Sequence, residues 1–436
     1  MGTPAPRPFD RVVPLTHEPP ILDGNATSSA SAALFGANPP GRFWKLQVDP
    51  QPTDEEWNRA AISASGVLPE AALAGPWDLD QVLGRILGEA QFGPRHFQLS
   101  LAKRAYYVLK PALPRRLTKR LRQMHRHSAL LRTALDWPVE QRYVRFLRRL
   151  LGEIMMSRGL ESVRFTHFWP KGHRFALVLT HDVESGVGQR LVPALADIEE
   201  RMGFRSSFNF VPERYRVDHG LIASLRKRGF EVGVHDLKHD GKLFASRERF
   251  LRRAERINQH LRHLEATGFR AAFMHRNPEW MQALDIEYDL SFFDTDPIEP
   301  VPGGTMSIWP FQLGRFVELP YTLVQDYTLT AVLGERTPRL WTNKAAFIAE
   351  QLGMALVNTH PDYLLSGDTK RIYMTFLAEI RRSGGFWNAL PGEVVRWWRA
   401  RAASVTAASL PGSQVACARL AGSDPSGIEL EVASDL

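Results

Sequence analysis

Short apolar runs alternate with amphipathic stretches from residue 171 onward. The runs have the length of buried strands, and the stretches between them, such as 247–266 and 370–382, repeat apolar residues at the helical period. The runs lie at 175–179, 206–211, 231–234, 271–274, 290–293, 316–319 and 354–357. Strands that alternate with helices favour a parallel sheet, so the pattern predicts an α/β fold with about seven parallel strands.

Polar residues capable of chemistry follow several of these runs. In chain order they are Asp182 and Glu184, His235 and His239, His275, Asp294 and Asp296, and His360. In a parallel (β/α) barrel the carboxyl ends of the strands meet on one face, where side chains distant in sequence come together. We therefore expect a barrel whose candidate site is built from the ends of several strands.

The rest of the chain follows other patterns. Residues 1–78 are rich in Pro, Gly, Ala and Ser and predict an irregular arm, whereas 79–170 place apolar residues at helical intervals among basic ones and predict a mostly helical region. We expect the barrel over 171–400 and a weakly ordered tail over 401–436. A length of 436 residues accords with one large domain and additional material.

Composition limits the kind of site that the chain can form. With 44% hydrophobic and 23% charged residues, the chain is typical of folded soluble proteins. The single cysteine, Cys417, excludes an internal disulfide and a thiolate cluster, so a metal would be bound by His, Asp and Glu. The first ten residues lack the pattern of a secretory signal, and no stretch approaches the roughly 20 apolar residues of a spanning helix, so we expect a cytoplasmic protein.

Positive charge is concentrated in residues 101–150, which hold 14 Lys and Arg against two acidic residues. A solvated helical face explains this surplus, and peripheral contact with an anionic membrane is the alternative. The sequence contains no recognised nucleic-acid module, so no nucleic-acid partner is expected.

The first motif is Thr180-His181-Asp182-Val183-Glu184. Its two carboxylates are two residues apart and therefore project to the same side of an extended segment. One can bind a cation while the other accepts a proton.

The second motif is a pair of histidines, His235 and His239, directly after the run at 231–234. Their spacing allows two imidazoles to close on one ion. With Glu184 they form a set of two histidines and one carboxylate that suits one divalent metal, zinc foremost, or cobalt, nickel, manganese or iron, and leaves positions for water and substrate. Asp182 can then act as a general base, and His360 can supply an acid for the leaving group.

These motifs resemble the polysaccharide deacetylases of carbohydrate esterase family 4, which share the NodB homology fold. The resemblance covers about residues 171–400. Asp182 with Glu184 is similar to the Asp-x-(Asp/Glu) variant of the family's first motif, the histidine pair is similar to the second, and His360 is similar to the fifth. Asp236 stands where the family usually has Ser or Thr, and a carboxylate there can still accept a hydrogen bond from a ligand histidine.

The resemblance implies roles for further residues around the third motif. Arg270 is implied to orient the base Asp182, and the backbone N–H of Phe273 is implied to donate to the oxyanion. The tripeptide Arg276-Asn277-Pro278 keeps the Arg-x-Pro spelling and is the alternative location of this motif. Arg270 is preferred because the family places an aromatic residue next to the motif.

The resemblance also implies an acidic residue that tunes His360. Asp296, or Asp294, occupies the corresponding place in the order of motifs. An unusually long stretch, 297–353, separates them from the last motif.

The sequence thus predicts a metal-dependent deacetylase that removes an N-acetyl group from an amino sugar or a related glycan precursor. Two alternatives remain open at this point. One is an O-acetyl esterase that uses the same site, and the other is a barrel that binds glycan or metal without turnover.

Overall fold

A curled sheet forms the centre of the molecule in this computed structural model. The structure describes residues 33–432, except for 75–76, 94–95, 100–102, 104–119, 121–122, 125, 127 and 366. The first ten described strands, in chain order, are β1 (Ser162–Thr166), β2 (Phe175–Val183), β3 (Ser207–Phe210), β4 (Glu231–His235), β5 (Gly268–Arg270), β6 (Tyr288–Asp289), β7 (Phe311–Leu313), β8 (Phe316–Glu318), β9 (Met354–Thr359) and β10 (Phe386–Asn388). Apart from β1, they pair in the order β10, β2, β3, β4, β5, β6, β8, β7, and β9 pairs with β2. All pairings in this sheet are parallel except that of β7 with β8.

The sheet closes on itself through the segment that follows β8. The backbone N–H of Tyr321 donates to Phe292 beyond β6 at 3.0 Å, and those of Thr322 and Leu323 donate to Leu356 in β9 at 3.0 and 2.9 Å. Because β9 also pairs with β2, the ring of strands is completed. The predicted deformed (β/α) barrel is therefore confirmed.

Burial explains why the first five residues of β2, 175–179, form an uninterrupted apolar run. All nine of its residues are buried, as expected for a parallel strand that is covered on both faces. Two other predicted strands are displaced. Residues 272–274 form a 3-10 turn directly after β5, and the run at 290–293 begins where β6 ends.

Helices cover the sheet and form the N-terminal region. They are α1 (Pro40–Trp44), α2 (Asp54–Ala64), α3 (Leu79–Leu87), α4 (Arg142–Ser157), α5 (Gly186–Arg201), α6 (His219–Lys227), α7 (Arg247–His263), α8 (Pro278–Met281), α9 (Arg339–Glu350), α10 (Pro361–Leu364), α11 (Gly367–Ser383) and α12 (Pro391–Ala403). α7 illustrates their construction, because the Ser246 side chain caps its first turn and Phe250, Ala254, Ile257 and Leu261 bury one face. None of the described helices combines the length and the apolar character needed to cross a bilayer.

The C-terminal residues form part of a second sheet. β11 (Val415–Leu420) pairs antiparallel with β1 and with β12 (Ile428–Val432). The expected weakly ordered tail is therefore wrong for these two segments. The physical reason is that β11 fills the edge of β1 and buries Ala416 and Ala418 in the process.

The N-terminal region is docked onto the barrel by a buried ion pair. Arg276 donates from Nε and Nη2 to the two carboxylate oxygens of Glu89, at 2.6 and 2.5 Å. The expected irregular arm over 1–78 is corrected in its described part, because Thr53 and Glu56 form a capping box that begins α2. Residues 1–32 of that arm, and most of the basic segment up to residue 127, lie outside the described residues.

Candidate active site

The ends of β2, β4 and β9 bring the predicted residues together at one end of the barrel. Asp182 is the next-to-last residue of β2, and Glu184 follows that strand directly. His235 is the last residue of β4, and His239 lies in the loop beyond it with a positive φ of 53°. His360 directly follows β9.

Glu184, His235 and His239 offer one ligand atom each, and these three atoms lie within 4.8 Å of one another. Glu184 Oε1 is 2.8 Å from Nε2 of His239 and 3.9 Å from Nε2 of His235. Both Nε2 atoms are buried, and neither makes a well-aligned hydrogen bond to the residues that the structure describes. Buried imidazole nitrogens that lack such a partner and face a carboxylate fit a divalent cation, and two nitrogens with one oxygen are a donor set typical of zinc.

The orientation of His235 is fixed by the backbone of the neighbouring strand. Its Nδ1 lies 3.1 Å from the carbonyl oxygen of Arg270, which leaves Nε2 directed at Glu184. The expected hydrogen bond from a ligand histidine to Asp236 is not formed. The Asp236 carboxylate instead accepts the backbone N–H of Leu237, because its own φ of 56° turns the chain at this point.

Asp182 is buried beside this cluster. Its Oδ2 lies 3.8 Å from Nε2 of His235. Arg270 donates from Nη1 to Asp182 Oδ1 at 3.0 Å, and its Nη2 and Nε donate to Thr180 Oγ1 and the Leu290 carbonyl, each at 3.0 Å. The structure therefore brings Arg270 to Asp182.

The alternative arginine of the third motif lies elsewhere. Arg276 pairs with Glu89 and packs its guanidinium over the rings of Phe292 and Phe293. Its charge is therefore neutralised by Glu89, where the N-terminal region meets the barrel. Phe273 lies between the two arginines with φ at 58°, and its ring centroid is 4.6 Å from that of His239.

His360 also lies next to the cluster. Its Nε2 lies 3.5 Å from Glu184 Oε1, and its Nδ1 lies 2.8 Å from Oδ1 of Asp326. The partner of His360 was expected to be Asp296 or Asp294, and this expectation is wrong, because the partner is Asp326. The Asp296 carboxylate accepts from Tyr321 and from the backbone of residues 298 and 299, whereas Asp294 pairs with Lys344.

The charges of the cluster shift the pKa values of its members. Burial alone would raise the pKa of Asp182, but the Arg270 guanidinium, followed by His235 and His360, holds it well below the usual carboxyl value. Burial also opposes ionisation of Glu184, yet His239 lowers its pKa well below the usual value. The site therefore holds two ionised carboxylates, which attract a cation.

The pKa values of two histidines shift in the opposite direction. Burial alone would lower the pKa of His360, but the Asp326 carboxylate raises it well above the ordinary imidazole value. His235 follows the same logic, since burial lowers its pKa and Asp182 more than compensates, so that the pKa is raised. His360 is therefore able to hold a transferable proton at neutral pH.

The sequence did not predict a role for three residues of the site: Asn209, Asp326 and Asn358. Asn358 directly precedes the Thr-His-Pro segment, and Asn209 interrupts an apolar strand between two phenylalanines. A buried amide within an apolar run is a signal that could have identified both. Asp326 carries no such signal, because no regular strand precedes it.

Comparisons with known proteins give partial structural likenesses. No family model matches the chain, and no curated protein matches it. A structure described as a polysaccharide deacetylase from Mycobacterium smegmatis is 18% identical with a TM-score of 0.44, over 53% of this chain and 93% of that one. Another from Pseudomonas aeruginosa is 15% identical with a TM-score of 0.46, over 53% and 94%. An allantoinase is 14% identical with a TM-score of 0.45, over 54% and 93%.

These likenesses are too distant to assign a reaction. The matched structures include proteins described as acting on different substrates, a polysaccharide and allantoin.

Proposed function

We propose that this protein is a metal-dependent hydrolase that removes an N-acetyl group from an amino sugar or a related glycan precursor. The observation that carries the proposal is the proximity of two proton-transfer groups, Asp182 and His360, to the cluster of Glu184, His235 and His239. Asp182 Oδ2 lies 3.8 Å from Nε2 of His235, and His360 Nε2 lies 3.5 Å from Oε1 of Glu184. Hydrolysis of an amide needs a proton acceptor for water and a proton donor for the departing amine, and this arrangement offers both.

Glu184, His235 and His239 would hold the cation through Oε1 and the two Nε2 atoms. A divalent ion held by these atoms would polarise a carbonyl group and make bound water more acidic. Zinc suits the donor set best, and cobalt, nickel, manganese and iron accept it as well.

The proton transfers fall to Asp182 and His360. Asp182 accepts the proton of the attacking water as the new carbon–oxygen bond forms. His360 donates the proton on Nε2 to the nitrogen as the carbon–nitrogen bond breaks, and acetate and a free amine leave. The Asp182 proton then returns to solvent and His360 is reprotonated.

Two further residues assist these transfers. The Arg270 guanidinium holds Asp182 in place and keeps it ionised. The backbone N–H of Phe273 donates to the carbonyl oxygen as negative charge develops there, which is the role that an oxyanion donor fills.

The pairing of His360 with Asp326 provides a general acid, which an amide substrate needs more than an ester does. An amine leaves only after its nitrogen is protonated, whereas an alcohol is a better leaving group. A histidine whose pKa is raised by Asp326 is an acid suited to protonating a leaving amine.

The proposal is tested by acetate release. Metal-depleted protein is reconstituted with zinc, cobalt, nickel, manganese or iron and is assayed against N-acetylated and O-acetylated sugars. We expect metal-dependent release from an N-acetylated amino sugar, and loss of turnover with retained metal in Asp182→Asn. Asp197→Asn, a half-exposed acid on α5, is the matched control. Full activity of Asp182→Asn would contradict the assignment of the base.

A further inference from the structure

The Asp182 carboxylate accepts hydrogen bonds from three side chains, and two of them are asparagine amides. Asn209 Nδ2 donates to Oδ1 at 3.1 Å, and Asn358 Nδ2 donates to Oδ2 at 2.8 Å. Arg270 supplies the third bond, to Oδ1 at 3.0 Å. All four side chains are buried.

The three bonds are unequally divided between the two carboxylate oxygens. A carboxylate offers about four acceptor positions, two on each oxygen. Oδ1 uses both of its positions, on Asn209 and Arg270, whereas Oδ2 uses one, on Asn358. The second position of Oδ2 remains, and this is the oxygen that lies 3.8 Å from Nε2 of His235.

The asparagines are themselves held in place. Asn358 Oδ1 accepts from Arg270 Nη1 at 2.7 Å, so its Nδ2 must face Asp182. Asn209 occupies space that exists because residue 233 is glycine. A Cβ at Gly233 would lie 2.2 Å from Asn209 Oδ1.

We propose that Asn209 and Asn358 are positioning residues that set the rotation of the Asp182 carboxylate and so make Oδ2 the oxygen that accepts the proton. This inference rests on the proposed function for its catalytic consequence. The amides add no charge to the site. They can therefore fix the direction of the carboxylate without the further cation that a second arginine would bring.

The test compares the wild type with Asn209→Leu and Asn358→Leu, which keep the side-chain size but remove the amide donor. If a leucine variant fails to fold, Asn209→Ser and Asn358→Ser are the smaller replacements. Crystal structures of the zinc-loaded proteins give the orientation of the Asp182 carboxylate. We expect it to rotate or to adopt two conformers, while zinc content stays at the wild-type level because no ligand atom has changed.

Steady-state kinetics supply the second readout. A misdirected base should lower kcat by about 10- to 100-fold and leave KM within about twofold, since a displacement of this kind acts on the chemical step. Asn258→Ser removes an amide that bonds to Ala283 and Asp285 outside the site, and its kcat should match the wild type.

The outcomes separate this inference from the proposed function. If the wild type releases acetate and the asparagine variants retain both its kcat and its Asp182 orientation, the inference fails and the function stands. If the wild type releases no acetate from any substrate, the function fails, and the carboxylate orientation still decides the inference. A rotated carboxylate with unchanged kcat also overturns the positioning role.

Discussion

Oδ1 of Asp326 lies 2.8 Å from Nδ1 of His360, and Oδ2 of the same carboxylate accepts the His360 backbone N–H at 2.9 Å. One side chain therefore fixes both the ring and the main chain of the histidine. With Nδ1 bonded to a carboxylate, the second ring proton is held on Nε2, on the side of Glu184.

Replacing Asp326 should remove this control. We expect Asp326→Asn to lower kcat for acetate release by about 10²–10⁴-fold, since that is the range that a positioned acid contributes. Metal content should not change, because Asp326 is not among the ligand atoms. Asp285→Asn, an exposed acid, is the control. A loss of less than about threefold would show that Asp326 does not act through His360.

Removing one of the histidine ligands should remove the metal. His239→Gln should lower zinc affinity by at least about 10- to 100-fold, because a neighbour that merely orients a ligand already contributes that much. Titration with zinc and metal analysis after dialysis measure the change. His219→Gln, an exposed histidine on α6, should retain wild-type zinc content. Equal zinc content in the two variants would contradict the ligand set.

The ion pair of Glu89 and Arg276 should make stability depend on pH. Burial alone would raise the pKa of Glu89, but Arg276 overrides it and holds the pKa at about 2, below the ordinary 4.5. The contribution of Glu89 is therefore fully present above pH 4.5 and is lost as the pH falls toward 2.

Glu89→Gln tests this dependence. At neutral pH it should lower the free energy of unfolding by about 3–5 kcal/mol, because it leaves the Arg276 charge buried without its carboxylate. The difference between wild type and variant should shrink below pH 4.5, as measured by denaturant titration at several pH values. Glu248→Gln, an exposed residue on α7, should show no such difference. A gap that stays constant with pH would contradict the assignment.

Gly233→Ala should disturb the site without touching a ligand. The new Cβ would lie 2.2 Å from Asn209 Oδ1, so Asn209 has to move away from Asp182. We expect a fall in kcat together with a loss of about 1–3 kcal/mol of stability from overpacking. The control is Gly66→Ala, where a Cβ meets nothing within 4 Å. Equal thermal midpoints and kcat values for the two variants would show that Asn209 does not need this space.

The sequence predicted the parts of the site that lie at the ends of regular strands. Asp182, Glu184, His235 and His360 follow apolar runs, and the alternation of strands and helices requires such ends to meet. The choice of Arg270 over Arg276 depended on a resemblance, and the geometry at Asp182 agrees with it.

Residues outside regular strands could not be placed in the same way. Asp326 belongs to an irregular segment whose path depends on backbone bonds from Thr322 and Leu323 to β9, and no local pattern encodes those bonds. Asp296 was chosen for its order along the chain, yet its oxygens are taken up by Tyr321 and nearby backbone. The strand pairing of β11 was missed for a related reason, because it depends on the distant edge of β1.

That pairing has a consequence for synthesis on the ribosome. β1 emerges before the barrel, and its antiparallel partner β11 emerges after the barrel is finished. The nascent chain must therefore carry one unsatisfied strand edge throughout translation of the barrel, and such edges are sites where other chains can add. Synthesis of β11 supplies the covering strand, so this edge is first protected only after the barrel has been translated.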